Sequence, residues 1–424
     1  DTNSNHKEQY SGIQYVMREV FIISTGEILT GKTAGSRRMQ NIAKSLAAGS
    51  ITVFLCSLAE FRGEPADMDM IRQGVFALRS VKGEDQQKSS LRHFLKTVNR
   101  FLAMGEADKV IYLYPTTFVL KDFIYLLYFK LLKRHRFFCE INELRRAIPF
   151  SSPPPSGLGP GIRYFLKAAK DFVVFSLNEL QVVFYDGITV ISTSLEKYFS
   201  RCTRRMIRVP ILCDAEEIDG MDYPPAFDGK TFKICFAGYI KCDKEGFKLV
   251  YEAISKLSTR YDVELYLYGI LEEEDNTKLR QLSEKYDLKE KVYYKGNIDP
   301  EDLKREFLKY HLLILPRPIN KRTIYGFSTK LSEYLVSGIP VLLTDVSDNA
   351  MFIKDNYNGY IIPPGSADAI AGKLEEIILS YNDRAQEIVK NAHITVRERL
   401  DLRLFTQVYD DFFFSNRKKM SQPA

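Results

Sequence analysis

The chain has 424 residues, of which 45% are hydrophobic and 27% charged, with a formal net charge of +6. That length is enough for two full cores, and the balance excludes disordered, collagen-like and disulfide-dense classes. The basic excess is mild: it suits an anionic ligand or a membrane surface and falls short of a nucleic-acid binder, so no nucleic acid is expected as a partner.

In chain order, the opening DTNSNHKEQYSG is polar and lacks the apolar core of a signal peptide. Short β-rich runs then alternate with helical patterns, the signature of α/β domains with parallel sheets. Strands are predicted at REVFIIS, SITVFLCS, GVFALRS, KVIYLYP, FFCEIN and GITVIST. Helices are predicted at RRMQNIAKSLAAG, SSLRHFLKTVNRFLAMG and FVLKDFIYLLYFKLLKRH, and again at GIRYFLKAAKDFVVFSLNEL after a Pro/Gly-rich loop, PFSSPPPSGLGPG. A polar stretch over residues 213–230 reads as a linker, after which the alternation restarts with strand FKICFAG and runs through GYIIPP. The expected organisation is a domain over 1–212, a linker over 213–230, a domain over 231–395, and a final segment over 396–424. That segment combines a helix packing back towards the first domain with a basic polar tail.

Two doubly wound domains in tandem imply a ligand cleft between them. No run reaches the ~20 apolar residues that span a bilayer, so an intracellular, cytoplasmic protein is expected. The six cysteines (Cys56, Cys139, Cys202, Cys213, Cys235, Cys242) are scattered and read as buried free thiols. The five histidines do not cluster, so no protein-built metal site is expected.

GEILTGKT, residues 26–33, fits the phosphate-binding pattern G-x-x-x-x-G-K-S/T and follows an apolar strand. In that motif the helix starts at the G-K-T, so that its first amides meet the phosphates. Here Ser36 reads as the helix cap, with the helix starting at Arg37 and an extended loop over Gly31 to Gly35. An apolar strand ending in Asp, needed to hold magnesium, is absent from the first half; the good match, VLLTD ending at Asp345, lies in the other domain. A nucleotide triphosphatase using Lys32 is therefore a rival reading.

The most informative stretch is PRPINKRTIYGFSTKLSEYLVSGIPVLLTDV, residues 316–346. A strand ends at Leu315, a polar loop follows, and a helix starts near Ser328. Ser328 and Thr329 can cap that helix and leave amides facing the cleft as an anion site. Lys330 adds charge there, and Glu333 sits one turn on, where a carboxylate can accept from ribose hydroxyls.

This stretch resembles the signature of retaining GT-B glycosyltransferases of the family 4 type, "P/S-x-K-L/F-x-E-Y-L/M-x-x-G-x-P-V", matched by FSTKLSEYLVSGIPV. FAGYIKCDKEGFKLVYEAI resembles the family's "G-R-L-x-x-x-K-G" unit, NYNGYIIPPGSADAIAGKLEEII a later landmark, and AGSRRMQNIAKSLAA the loop and helix of the first domain. The resemblance implies two Rossmann-like domains in GT-B architecture, the first on the acceptor side and the second binding a nucleotide diphosphate sugar. It implies transfer of a hexosyl group to a glycan, lipid-linked or other acceptor, without a metal or other cofactor. Lys244 would neutralise the diphosphate leaving group, helped by the Ser328 and Thr329 amides, with Phe327 and Lys330 beside them and Glu333 on the ribose. Gly296, Asn297 and Ile298 would lie near the base, and the loop carrying Gly31, Gly35, Ser36 and Arg37 would close over the donor. Asn142 and Glu143, after FFCEI, are the acceptor candidates.

Two positions depart from the pattern. Tyr239 stands in the donor site where the family often has Arg, and Tyr325 where it often has a sugar-contacting Glu. Arg317, Lys321, Arg322 or Lys330 could replace the lost cation. These departures also leave open a nucleotide-sugar-binding protein without catalysis. Between Lys121 and Lys170 there are ten Lys or Arg against three Asp or Glu. The aromatic helix FVLKDFIYLLYFKLLKRHRF reads equally as a core helix with a solvated basic end or as a face for peripheral contact with an anionic membrane.

Overall fold

A computed structural model describes residues 17–31, 33–61, 66–80, 90–115, 119–150 and 157–415. Lys32, the centre of the Pro-rich loop and the basic polar tail lie outside the described residues.

The first sheet has eight strands: β1 (Arg18–Ser24), β2 (Thr52–Ser57), β3 (Ala66–Arg72), β4 (Val75–Ser80), β5 (Asp108–Tyr114), β6 (Arg136–Ile141), β7 (Gly187–Val190) and β8 (Met206–Arg208). Their order is β3-β4-β2-β1-β5-β6-β7-β8, all parallel except the β3–β4 hairpin at one edge. The second sheet contains β9 (Thr231–Ala237), β10 (Asp262–Tyr268), β11 (Val292–Gly296), β12 (Leu312–Leu315), β13 (Val341–Thr344) and β14 (Tyr360–Ile362). It is fully parallel, in the order β11-β10-β9-β12-β13-β14. β1 shows why such strands read as unbroken apolar runs: Val20 and Ile22 enter one core, Phe21 and Ile23 the other, so both faces are covered. β3, ADMDMIR, alternates polar and apolar residues at the sheet edge, and the apolar-run criterion misses it.

Three helix boundaries differ from the sequence reading. The first helix is Ala34–Ala48 and is capped by Thr33, whose hydroxyl accepts from the Ser36 amide at 3.1 Å; Ser36 is not the cap and Gly35 is not in the loop. Gly35 sits in the first turn because a Cβ there would run into the Tyr114 ring and hydroxyl. The helix Leu158–Leu180 starts inside the Pro/Gly-rich stretch, with Gly157 as its cap and Pro160 in its first turn, where a missing amide costs nothing. The predicted aromatic helix is an α-helix over Val119–Tyr125 continued by wide π-type turns over Leu126–Leu132. Tyr125, Leu126 and Phe129 are buried in the core, and Leu120, Phe123 and Leu127 are exposed.

All six cysteines are free thiols; five are buried, but Cys202 is exposed, contrary to the expectation for the set. After the long helix Ala367–Thr395 the chain crosses to the first sheet, where the helix Thr406–Phe414 packs on the helix Ala34–Ala48 and on β5 and β6.

Candidate active site in the interdomain cleft

In each sheet the strand order reverses once: between β1 and β5 in the first, between β9 and β12 in the second. Crevices form at the carboxyl ends of strands at such points. The two crevices face each other across a cleft of about 460 Å³. The first domain lines it with Thr33, Gly35 and Arg37 after β1, Tyr114 at the end of β5, and Asn142 and Glu143 after β6. The second lines it with Gly238, Tyr239 and Lys244 after β9 and with the segment from Arg317 to Glu333 after β12.

Glu245, which the sequence reading passed over, is the hub of the second domain's wall. It is 1% exposed and takes Arg317 through two hydrogen bonds, Nε at 3.1 Å and Nη2 at 3.2 Å, and Lys330 Nζ at 2.7 Å. Burial alone would push its pKa up, but the cations Arg317, Lys330 and Lys244 hold it well below the carboxylate range. Lys330 also lies over the Phe236 ring at 4.5 Å. Arg317 and Lys330 are thus tied to a carboxylate rather than waiting for a ligand. Lys244, on the short helix Cys242–Glu245, is half-buried and makes no hydrogen bond or ion pair among the described residues. Burial and the nearby Arg317 push its pKa down to about 7, with Arg322 and Lys330 adding to the effect and Glu245 opposing it.

The helix Thr329–Leu335 begins at the cleft. Ser328 precedes it, but its hydroxyl makes no cap hydrogen bond; Oγ is buried without a partner among the described residues, and Ser328 borders the cleft. Thr329 supplies the first helical amide. Four residues on, Glu333 is largely buried, and its carboxylate pairs with Arg37 of the other domain at 2.8 Å. Burial raises its pKa while Arg37 and Lys330 lower it, and burial prevails. Tyr334, on the next position, fixes the helix to β9: its hydroxyl accepts from the Ala237 amide at 2.8 Å and lies 3.1 Å from the Ala237 carbonyl.

Of the remaining expected donor residues, Asn297 and Ile298 border the cleft, whereas Gly296 ends β11 outside the lining, its carbonyl accepting from the Gly269 amide at 2.8 Å. Phe327 lines the cleft and stacks on Phe352 at 5.6 Å. The Tyr239 hydroxyl donates to Glu272, and Lys241 lies over its ring at 5.0 Å. Tyr325 is turned away from the cleft and packs edge-on against Tyr198 of the first domain. Arg322 approaches Glu143 at 3.8 Å, and Asn142 donates to the Tyr114 hydroxyl at 2.9 Å. Arg38, beside Arg37, is structural: it is buried, pairs with Glu140 at 2.6 Å and donates to the Val209 and Pro210 carbonyls.

The loop over residues 26–33 carries a correction in its argument. Because the helix starts at Ala34, its position does not argue against a phosphate loop. The loop's amides do. Ile28 and Leu29 donate to the Glu60 carboxylate at 2.8 and 3.1 Å, Gly26 donates to Ser24 Oγ, and Gly31 donates to Ser36 Oγ at 2.8 Å. Ile28 and Leu29 side chains are buried beneath it. Four amides of this loop are thus already satisfied by the protein's own oxygens, and Gly31 and Ser36 lie off the cleft lining while Gly35 and Arg37 border it.

Residues 222–394 match the family described as glycosyl transferases group 1. The match spans the second domain and does not extend over the first. Over 167 residues the chain is 25% identical to an uncharacterized glycosyltransferase of Methanocaldococcus jannaschii, a match covering 39% of this chain and 40% of that relative. Its structure resembles a sucrose-phosphate synthase from Thermosynechococcus elongatus, with TM-score 0.71, 16% identity, and coverage of 94% of this chain and 100% of that one. It also resembles HepE from Anabaena, solved in complex with UDP and glucose, with TM-score 0.60, 15% identity, and coverage of 94% and 100%. These likenesses establish the GT-B architecture of two Rossmann-like domains. Among the described residues no group of three His, Cys, Asp or Glu is placed to hold a metal, and no helix is long and apolar enough to cross a membrane.

Proposed function

We propose that this protein is a group 1 glycosyltransferase that moves a sugar from a nucleotide diphosphate sugar to a hydroxyl acceptor, with retention of anomeric configuration and without a metal. One observation carries the reading. Three cations, Lys244, Arg317 and Lys330, surround the single carboxylate of Glu245 at the switch point of the second sheet. Burial first, and then the surplus of positive charge, depress the pKa of Lys244, and an arriving diphosphate offsets the charge repulsion. As the glycosidic bond breaks, charge develops on the β-phosphate, where Lys244 and the buried Ser328 hydroxyl are ready to stabilise it. The capture of UDP and UDP-glucose by the Anabaena HepE supports a nucleotide-sugar donor.

In this reading Glu333 accepts from the ribose hydroxyls, giving up or sharing Arg37, and Asn297 and Ile298 stand near the base. Asn142 and Glu143 meet a carbohydrate or lipid-linked acceptor from the first domain. No side chain is needed as base, because a donor phosphate oxygen takes the acceptor proton during front-face attack.

The test begins with thermal unfolding against UDP, GDP and their sugars, since a ligand of the native state raises its stability. Turnover with the stabilising donor follows, with the product's anomeric configuration read by nuclear magnetic resonance. Loss of turnover in both Lys244→Ala and Glu333→Ala, with unfolding cooperative, is the expected result; turnover kept in both defeats the assignment. Tyr239, occupied by Glu272, and Tyr325, turned from the cleft, favour one rival: a donor-binding protein without catalysis. Stabilisation without turnover across the donor panel selects it. Magnesium-dependent triphosphate hydrolysis abolished by Lys32→Ala would select the phosphate-loop alternative.

A further inference from the structure

The helix Leu158–Leu180 is 23 residues long, yet Ala168 is its one buried residue. Ile162, Phe165, Leu166, Val173, Leu177 and Leu180 are between 52% and 67% exposed. Their spacing of three, four and seven keeps them on one stripe of a 3.6-residue helix, pointing away from the protein. The stripe continues through Val183 and Phe184, and the helix Val119–Tyr125 packs alongside with Leu120 and Phe123 exposed. A contiguous apolar face of this length, about 35 Å at 1.5 Å per residue, is far from the scattered exposure of an ordinary surface.

Its charges select the occupant. Arg163, Lys167 and Lys170 are exposed, fall together along one flank of the stripe, and make no ion pair among the described residues. Two cations of the aromatic segment are instead paired within the protein: Lys130 with Asp186 at 2.6 Å and Arg136 with Asp108. Aromatic and aliphatic tips with unpaired cations beside them suit the boundary between acyl chains and anionic headgroups.

We propose that the face built on Leu158–Leu180 docks this protein on an anionic bilayer. The proposal rests on the glycosyl-transfer reading only for its consequence. Asn142 and Glu143 border both the cleft and a small pocket beneath this helix, lined by Phe175, Asn178 and Glu179. Docking therefore brings the acceptor end of the cleft beside the membrane, as an acceptor carried on a lipid requires.

The test is co-sedimentation of the full chain with vesicles of phosphatidylcholine and phosphatidylglycerol in equal parts, against pure phosphatidylcholine. Binding is expected to the mixed vesicles, to weaken with salt, and to fall about fivefold for each charge removed in Lys167→Gln and Lys170→Gln. Leu166→Glu with Leu177→Glu, at exposed positions, should abolish it while thermal unfolding and the nucleotide-induced shift stay unchanged. Failure of the wild type to bind mixed vesicles overturns the proposal, as does equal binding of the double variant. So does a concentration-dependent dimer dissolved by Leu166→Glu with Leu177→Glu, which would make a second copy the occupant. A missing nucleotide shift with vesicle binding intact would remove the donor reading and leave the docking face standing.

Discussion

Lys244 carries a depressed pKa because burial, and then the neighbouring cations Arg317, Arg322 and Lys330, disfavour its ammonium. Its ordinary value near 10.4 applies in the unfolded chain, so between pH 7 and about 10 the unfolded state holds a proton that the native state has lost. Stability therefore rises with pH through that window, and the cost of the buried charge is fully present below pH 7. Replacing the ammonium with an uncharged stem should remove the cost: Lys244→Met is expected to raise the melting temperature at pH 6 and to abolish the nucleotide-induced shift. The wild-type and variant melting temperatures should converge as pH rises; parallel curves would show that Lys244 stays charged in the native state. Glu60 is a second residue whose role is local. Its carboxylate holds the Ile28 and Leu29 amides at 2.8 and 3.1 Å, so Glu60→Ala should destabilise the protein by about 1–3 kcal/mol by urea unfolding. A loop that bound phosphate there would instead tolerate the loss and tighten on anions.

At the scale of elements, the parallel strands were legible because both faces of each are buried and the sequence shows uninterrupted apolar runs such as VFII and LLIL. The helix starts were less so. Gly35 reads as a helix breaker, but the helix tolerates it because Tyr114 occupies the space of a side chain, a contact no local pattern carries. Glu245 was invisible for the same reason: in CDKEGF it is one acid among charges, and only the fold brings Arg317 from 72 positions away onto it. Gly238 closes β9 with φ at +138°, and a Cβ there would collide with the Lys330 side chain. Gly238→Ala should therefore strain the turn and push Lys330 off Glu245. The expected result is a loss of about 1–3 kcal/mol in stability together with a weakened nucleotide shift. A variant that loses stability but binds nucleotide normally would show that Lys330 has no part in the site.

The molecule as a whole is held closed by contacts that cross the cleft. Arg37 meets Glu333, the Thr193 amide and hydroxyl donate to Asp348 at 2.9 and 3.0 Å, and Ser192 Oγ donates to the Tyr325 carbonyl at 2.7 Å. The covalent return of the chain adds a stronger coupling. Phe412 and Phe413 are fully buried on the first sheet, packed at 5.0 to 5.2 Å from Phe138 and Tyr112, and Arg205 stacks on the Phe412 ring. Residues more than 200 positions beyond the first domain's strands thus complete one of its two faces. Phe413→Ala should cost about 3–5 kcal/mol. The two rings are 5.3 Å apart and share neighbours, so Phe412→Ala with Phe413→Ala should cost less than the sum of the single changes. Calorimetry reads the coupling directly. The wild type should melt in one transition, and the double variant in two, with the first domain unfolding at the lower temperature and the nucleotide-induced shift confined to the upper one. Two separate transitions already present in the wild type would mean that the returning helix packs without linking the stability of the domains.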